Sequence, residues 1–195
     1  SPLGIVDPNN LNNFDLGLTT DEIAEAGQLL AGAAIKGKFI VASLGTKLPL
    51  KDWGIENWKQ LLAALSREQP GLALVLLGST DETARREALL ESWSGPRAHF
   101  CGRTSPRVSA ALLHKAALFI GHDSGPMHLA DAVGTRCVTI YSAQAPPGQW
   151  FPSGAGHANL YPYSFYDPLL THDPDHQRLA ISIIIIDEVL AASRL

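Results

Sequence analysis

Residues 117–141 read ALFIGHDSGPMHLADAVGTRCVTIY, and their pattern decides the fold. Ala117 to Gly121 is an unbroken apolar run of strand length. His122 to Pro126 is a loop of turn-forming residues. Met127 to Val133 has helical spacing, closed by Gly134. Cys137 to Tyr141 is a second apolar run. Strands that are apolar throughout, joined by a helix, belong to a parallel sheet covered on both faces.

The alternation continues outward on both sides. Thr19 and Glu22 have capping-box spacing and open a helix that runs to about Ile35, with Gly37 as its stop. Phe39 to Ser43 is a buried strand. Ile55 to Gln69 is a helix with Trp58, Leu61, Leu62 and Leu65 on one face, ended by Pro70-Gly71. Leu72 to Leu77 is a strand, Asp81 to Trp93 a helix, and Ala98 to Cys101 a short strand. Pro106 to Lys115 is a helix with proline in its first turn. Beyond Tyr141, residues Ser142 to Gln177 read as irregular. A strand at Ile181–Ile185 and a helix at Asp187–Arg194 are expected to close the chain. The class is α/β, a Rossmann-like three-layer α/β/α arrangement on a parallel sheet. Ligands of such folds sit outside the carboxyl ends of the strands. The loops after Ser43, Leu77, Cys101, Gly121 and Tyr141 are therefore expected on one rim.

Composition narrows the function. The 195-residue chain carries 15 Lys and Arg against 19 Asp and Glu, a net charge of −4, and has no basic stripe of the nucleic-acid-binding kind. A hydrophobic share of 46% excludes a disordered acidic tail. The apolar run Ile181–Ile186, interrupted by Ser182, falls far short of the roughly 18 residues of a membrane span. Cys101 and Cys137 lack CxxC spacing and suit two buried thiols in a reducing, cytoplasmic setting. Ser1 to Leu18, rich in Pro, Asn and Gly, reads as an arm or linker before a domain at 19–195. The start at Ser1-Pro2, without Met or a signal peptide, looks like a processed or truncated piece.

The loop His122-Asp123-Ser124-Gly125-Pro126 follows a strand and opens a helix. Free N–H groups and the dipole at a helix start attract an anion, and Gly125 lets it approach the backbone. Equally, Asp123 or Ser124 could merely cap the helix. The loop after the first strand carries Thr46, Lys47 and Lys51. A lysine there can neutralise a phosphate, although two solvated lysines are the plainer reading. Asp81 and Glu82 could accept ribose hydroxyls or simply serve a helix dipole. Gly102-Arg103-Thr104-Ser105 could meet a base or phosphate, or cap the next helix. Trp53 and Trp58 read as core. His122 and His128 flank Asp123 but lack metal-ligand spacing. His157, His172 and His176 read as solvent-facing. There is no GxGxxG, GxxxxGK[ST] or GxSxG motif.

Phe119-Ile120-Gly121-His122-Asp123-Ser124-Gly125-Pro126-Met127-His128-Leu129-Ala130 resembles the D-[ST]-G-x-x-H-L-A motif of the heptosyltransferase-like glycosyltransferases, family 9 of the inverting, two-domain GT-B enzymes. Lys51-Asp52-Trp53 with Trp58 is similar to the family's K-x-W loop and next helix. Leu76-Leu77-Gly78 and Cys101-Gly102-Arg103-Thr104-Ser105 match its intervening strand ends. The resemblance covers roughly Phe39 to Pro152 and implies the C-terminal, donor-binding half of a GT-B enzyme, with the N-terminal acceptor domain and its catalytic base absent from this chain.

What it implies further can be placed on residues. Lys51 resembles the lysine that binds the diphosphate and stabilises the leaving group, and Thr46 a phosphate-binding hydroxyl. Asp123 matches the acid near the sugar hydroxyls; Lys51 and Asp123 are the implied catalytic pair. Ser124 and Gly125 match helix-start phosphate contacts. Glu82 is the candidate ribose acid, and His128 the motif histidine that orders the loop. The implied donor is a nucleotide sugar, ADP-heptose, used without metal or other cofactor. The implied acceptor is lipopolysaccharide core, met through the absent domain at the inner face of the inner membrane. This chain alone is expected to bind a nucleoside diphosphate without turnover. The alternatives are a sugar-nucleotide epimerase-like GT-B domain and a non-catalytic nucleotide-binding module.

Overall fold

The computed structural model describes residues 16–80 and 83–195. The arm expected at Ser1–Leu18 lies outside the described residues up to residue 15. Leu16 and Gly17 are seen, and their carbonyls accept hydrogen bonds from Arg107.

The strands are β1 (Phe39–Ser43), β2 (Ala73–Leu76), β3 (Arg97–His99), β4 (Leu118–His122), β5 (Cys137–Ile140) and β6 (Ala158–Leu160). The helices are α1 (Thr20–Gly32), α2 (Ile55–Glu68), α3 (Thr83–Glu91), α4 (Pro106–Lys115), α5 (Gly125–Ala132), α6 (Pro174–Ser182) and α7 (Ile186–Ala192). The six strands form one sheet in the order β3-β2-β1-β4-β5-β6, and every pair is parallel.

Side chains alternate between the two faces of a strand. Ile40, Ala42, Leu74, Leu76 and Ile120 join Trp58, Leu61, Leu62 and Leu65 of α2 and Val189 of α7 in one core. Phe39, Val41, Val75 and Phe119 join Ala26 and Leu30 of α1, Leu112 of α4 and Met127 of α5 in the other. Both faces are apolar because both are covered, which is why the strand sequences show no polar alternation.

The strand order has a direct consequence for function. From β1 the chain winds outward to β3, returns to β4 beside β1, and winds the other way. No connection crosses the carboxyl ends of β1 and β4, so a crevice opens there. Pairing of Ser43 with Gly121 keeps the two ends level. A Cβ on Gly121 would lie 2.4 Å from Cζ of Phe119 and 2.9 Å from the carbonyl oxygen of Ser43. Glycine there permits the close approach.

Several expectations need correction. Ile181–Ile185 is not a strand. Ile181 and Ser182 end α6, and Ile185 leads into α7. Asp173 caps α6 by accepting from the N–H of His176 at 2.7 Å, and Pro174 occupies its first turn. The sheet edge is taken instead by β6, inside the stretch read as irregular. Helix α1 has its full capping box at Thr19 and Glu22. It ends earlier than expected, before Gly37, with Ala34 in the left-handed region at φ 56°. Ile35 N–H reaches Leu30 O and Ala34 N–H reaches Ala31 O, a Schellman pattern built without glycine. Among the described residues no helix is long and apolar enough to cross a membrane.

Candidate functional site

A cleft of about 880 Å³ opens over the carboxyl ends of β1 and β4. That is the size of a small-molecule site. Its walls include Thr46 and Lys51 from the loop after β1, Gly78 after β2, Pro106 at the start of α4, and Ser124 and Gly125 at the start of α5. Lys51 and Gly125, distant in sequence, therefore face one space.

Lys51 Nζ lies 2.6 Å from Asp123 Oδ2, across 72 positions of sequence. Their side chains are only 18% and 10% exposed. His128 Nε2 lies 3.5 Å from the other carboxylate oxygen, Oδ1. Burial pushes the Asp123 pKa up, but His128 and Lys51 together hold it below the usual carboxylate value. Asp123 is thus an anion at neutral pH.

Lys51 is delivered by a 3-10 turn at Pro49–Lys51, and that turn is fastened through His122. The Trp53 N–H donates to His122 Nε2 at 3.1 Å. A ring nitrogen that accepts carries no proton, so Nδ1 bears it and donates to Leu44 O at 3.0 Å. His122 is 0% exposed, and burial pulls its pKa down to about 4. Trp58 stands edge-on to both Trp53 and His122, at 5.5 Å each. The Trp53 indole N–H donates to Ile184 O at 2.8 Å. Both tryptophans are core, as the sequence suggested.

The start of α5 lacks the side-chain cap that its loop could have supplied. Ser124 is the N-cap residue, but no side chain caps this helix. The Ser124 hydroxyl donates backward to His122 O at 3.2 Å. Pro126 carries no N–H and the Met127 N–H bonds Ser124 O at 3.0 Å, so the helix brings the Gly125 N–H and the positive end of its dipole to the cleft, an arrangement that suits an anion. The loop at 102–105 goes the other way: Ser105 caps α4 by accepting from Val108 N–H at 3.2 Å.

Other expected site residues fall as follows. Thr46 lines the cleft, but its hydroxyl donates to Leu48 O at 3.0 Å and accepts from Leu48 N–H at 3.2 Å. It closes a local turn and must release Leu48 O before it can donate to a ligand. Glu82 lies outside the described residues. Among those described, no group of three or more His, Cys, Asp or Glu is placed to hold a metal ion. His172 is exposed, but His157 and His176 are not free tail residues. His157 Nδ1 accepts from Cys137 N–H at 3.1 Å, and His176 Nε2 bonds Phe165 O at 2.7 Å. Both cysteines are buried free thiols, and burial pushes Cys137 up to about 12.

Two features of the site escaped the sequence. Arg85, which lines the cleft, pairs with Asp52 beside Lys51. Its signal was a cation in the first turn of a helix, where the dipole disfavours one. Ser43 ends β1 on the cleft wall, 1% exposed, with no hydrogen-bond partner for its hydroxyl among the described residues. It read only as the last residue of a strand.

Known proteins resemble this chain in sequence and shape. The profile of glycosyltransferase family 9 (heptosyltransferase) matches residues 9–159. Lipopolysaccharide heptosyltransferase 3 of Escherichia coli K12 is 23% identical over 193 residues, covering 98% of this chain and 55% of that protein. The glycosyl transferase of family 9 from Veillonella parvula superposes with a TM-score of 0.82 at 20% identity, over 98% of this chain and 55% of its own. ADP-heptose LPS heptosyltransferase II of E. coli gives 0.65 at 18% identity, over 91% and 53%. The chain thus spans about half the length of these relatives, and the half it spans has the parallel α/β fold derived above. With its motif strand, crevice and loop order in agreement with a profile match over most of its length, the chain belongs to glycosyltransferase family 9.

Proposed function

We propose that this chain is the donor-binding half of an inverting, metal-independent heptosyltransferase. In this reading the parent enzyme transfers heptose from ADP-heptose to lipopolysaccharide core, at the inner face of the inner membrane. The supporting observation is that Lys51 and the uncapped start of α5 face the same cleft across the point where the strand order reverses. Residues 19–195 form the donor domain. The acceptor site and the base that takes the acceptor proton belong to the part of the relatives' length that this chain does not span.

The chemistry follows from charge. As the bond from the anomeric carbon to the diphosphate oxygen breaks, positive charge grows on the sugar ring and negative charge on the departing phosphate. The Lys51 ammonium and the dipole and Gly125 N–H at the start of α5 are fixed where that negative charge develops, so they act without reorganising. Ser124 adds a hydroxyl, and Gly125 admits the phosphate to the backbone. Thr46 joins them by turning its hydroxyl from Leu48. Asp123, ionised, orients Lys51 and accepts from sugar hydroxyls. His128 steadies Asp123, and Glu82 takes the ribose. Attack by the acceptor on the face opposite the diphosphate inverts the anomeric centre.

Titration calorimetry of the chain with ADP tests the reading. ADP binds, and Lys51→Ala weakens it about 10- to 100-fold, the loss of one charged hydrogen bond. Failure of ADP, UDP and NAD alike to bind would overturn it.

A further inference from the structure

The pair Lys51 and Asp123 has a second side. Away from the large cleft, the same two residues line a niche of about 10 Å³ with Tyr141, Ser142, Gln144 and Trp150. The niche and the cleft share Lys51 and Asp123 as lining residues. Its volume suits a single oxygen atom.

Its walls come from the arm that follows β5. The Tyr141 hydroxyl donates to Trp150 O at 3.1 Å, and the Tyr161 hydroxyl donates to Ala145 O at 2.7 Å, so the arm is tied at both ends. Phe151 packs between the two tyrosine rings, with centroids at 4.7 and 5.7 Å. Ser142, on the niche, is 5% exposed, and its hydroxyl has no hydrogen-bond partner among the described residues. A buried hydroxyl left unpaired by the protein is costly, so the hydroxyl is available to an oxygen that enters the niche. Trp150, which lines the niche, is 47% exposed, its indole at a T-shaped angle to the His128 ring with centroids at 6.1 Å. His128 in turn touches Asp123. A half-exposed indole beside a carboxylate and an unpaired hydroxyl matches a sugar ring, which has apolar C–H faces and polar O–H edges.

Resting on the donor reading above, we propose that the arm 141–151 is the subsite for the transferred sugar, with Trp150 as the wall for the ring and Ser142 as the partner of one ring hydroxyl. This arm, rather than the diphosphate grip, then selects the sugar.

The experiment compares ADP with ADP-heptose on the same chain by calorimetry. Ser142→Ala weakens ADP-heptose roughly fivefold, the value of one neutral hydrogen bond, and leaves ADP within twofold. Trp150→Ala weakens ADP-heptose about tenfold or more, again sparing ADP. Ser142→Ala also unfolds at the wild-type temperature or above it, because it removes a hydroxyl the free protein does not satisfy. Unchanged ADP-heptose affinity in both variants, or equal losses for the two ligands, overturns the subsite while intact ADP binding leaves the donor reading standing. Absence of ADP binding to the wild type overturns the donor reading itself.

Discussion

Acidification should loosen this protein through His122. The imidazole is fully buried, and its Nε2 accepts from the Trp53 N–H. A proton on Nε2 would turn that acceptor into a donor facing a donor, inside the core. The folded pKa is about 4 and the ordinary value 6.5. The unfolded chain therefore takes up the proton first. The stability that neutral His122 contributes is whole above about pH 6.5, and it is lost as pH falls toward 4. Between about pH 7 and pH 5 the linkage amounts to about 2 kcal/mol. For a chain of this size that lowers Tm by about 4–8 °C. The assay is thermal unfolding of wild type and His122→Gln at both pH values. Gln offers a carbonyl to Trp53 but does not titrate. Burial also pushes His99 down, but His99 is present in both proteins and cancels in the comparison. Wild type should lose about 2 kcal/mol more than the variant. Equal losses in the two would refute the reasoning.

Two further outcomes can be checked by denaturation. Gly121→Ala drives a methyl against the Ser43 carbonyl, which cannot swing aside as the Phe119 ring can, and should cost about 1–3 kcal/mol in urea. Ser105→Ala removes the cap of α4 and should cost about 1 kcal/mol, without changing ADP affinity beyond twofold in calorimetry.

The parallel sheet was legible because its strands are apolar on both faces, and β1 and α4 fall where their residues put them. The carboxyl-end rule places Lys51 and Gly125 on one rim, and both line the same cleft. What stayed hidden was tertiary. The run Ile181–Ile185 has the composition of a strand, yet it ends α6 and leads into α7, while β6 occupies the sheet edge beside β5. Nothing local announces β6, whose residues Ala158, Asn159 and Leu160 are weak strand formers without the ladder to β5. The sequence disfavours His122 as a metal ligand but does not show its bracing role, because its two backbone partners, 78 and 69 positions away, leave no trace in its neighbourhood. Ser142 was passed over for the same reason: an unpaired hydroxyl is a property of its surroundings.

The reversal of strand order has one more consequence. Lys51 rides on the half-sheet that β1 begins, while Asp123 and α5 belong to the half-sheet that β4 begins. The seam between the halves is the ladder of Ile40–Ser43 with Leu118–Gly121. Neither half owns the grip, so it exists only once the two have zipped together. A ligand spanning the seam acts as a staple: by mass action it strengthens the joint on which its own site depends.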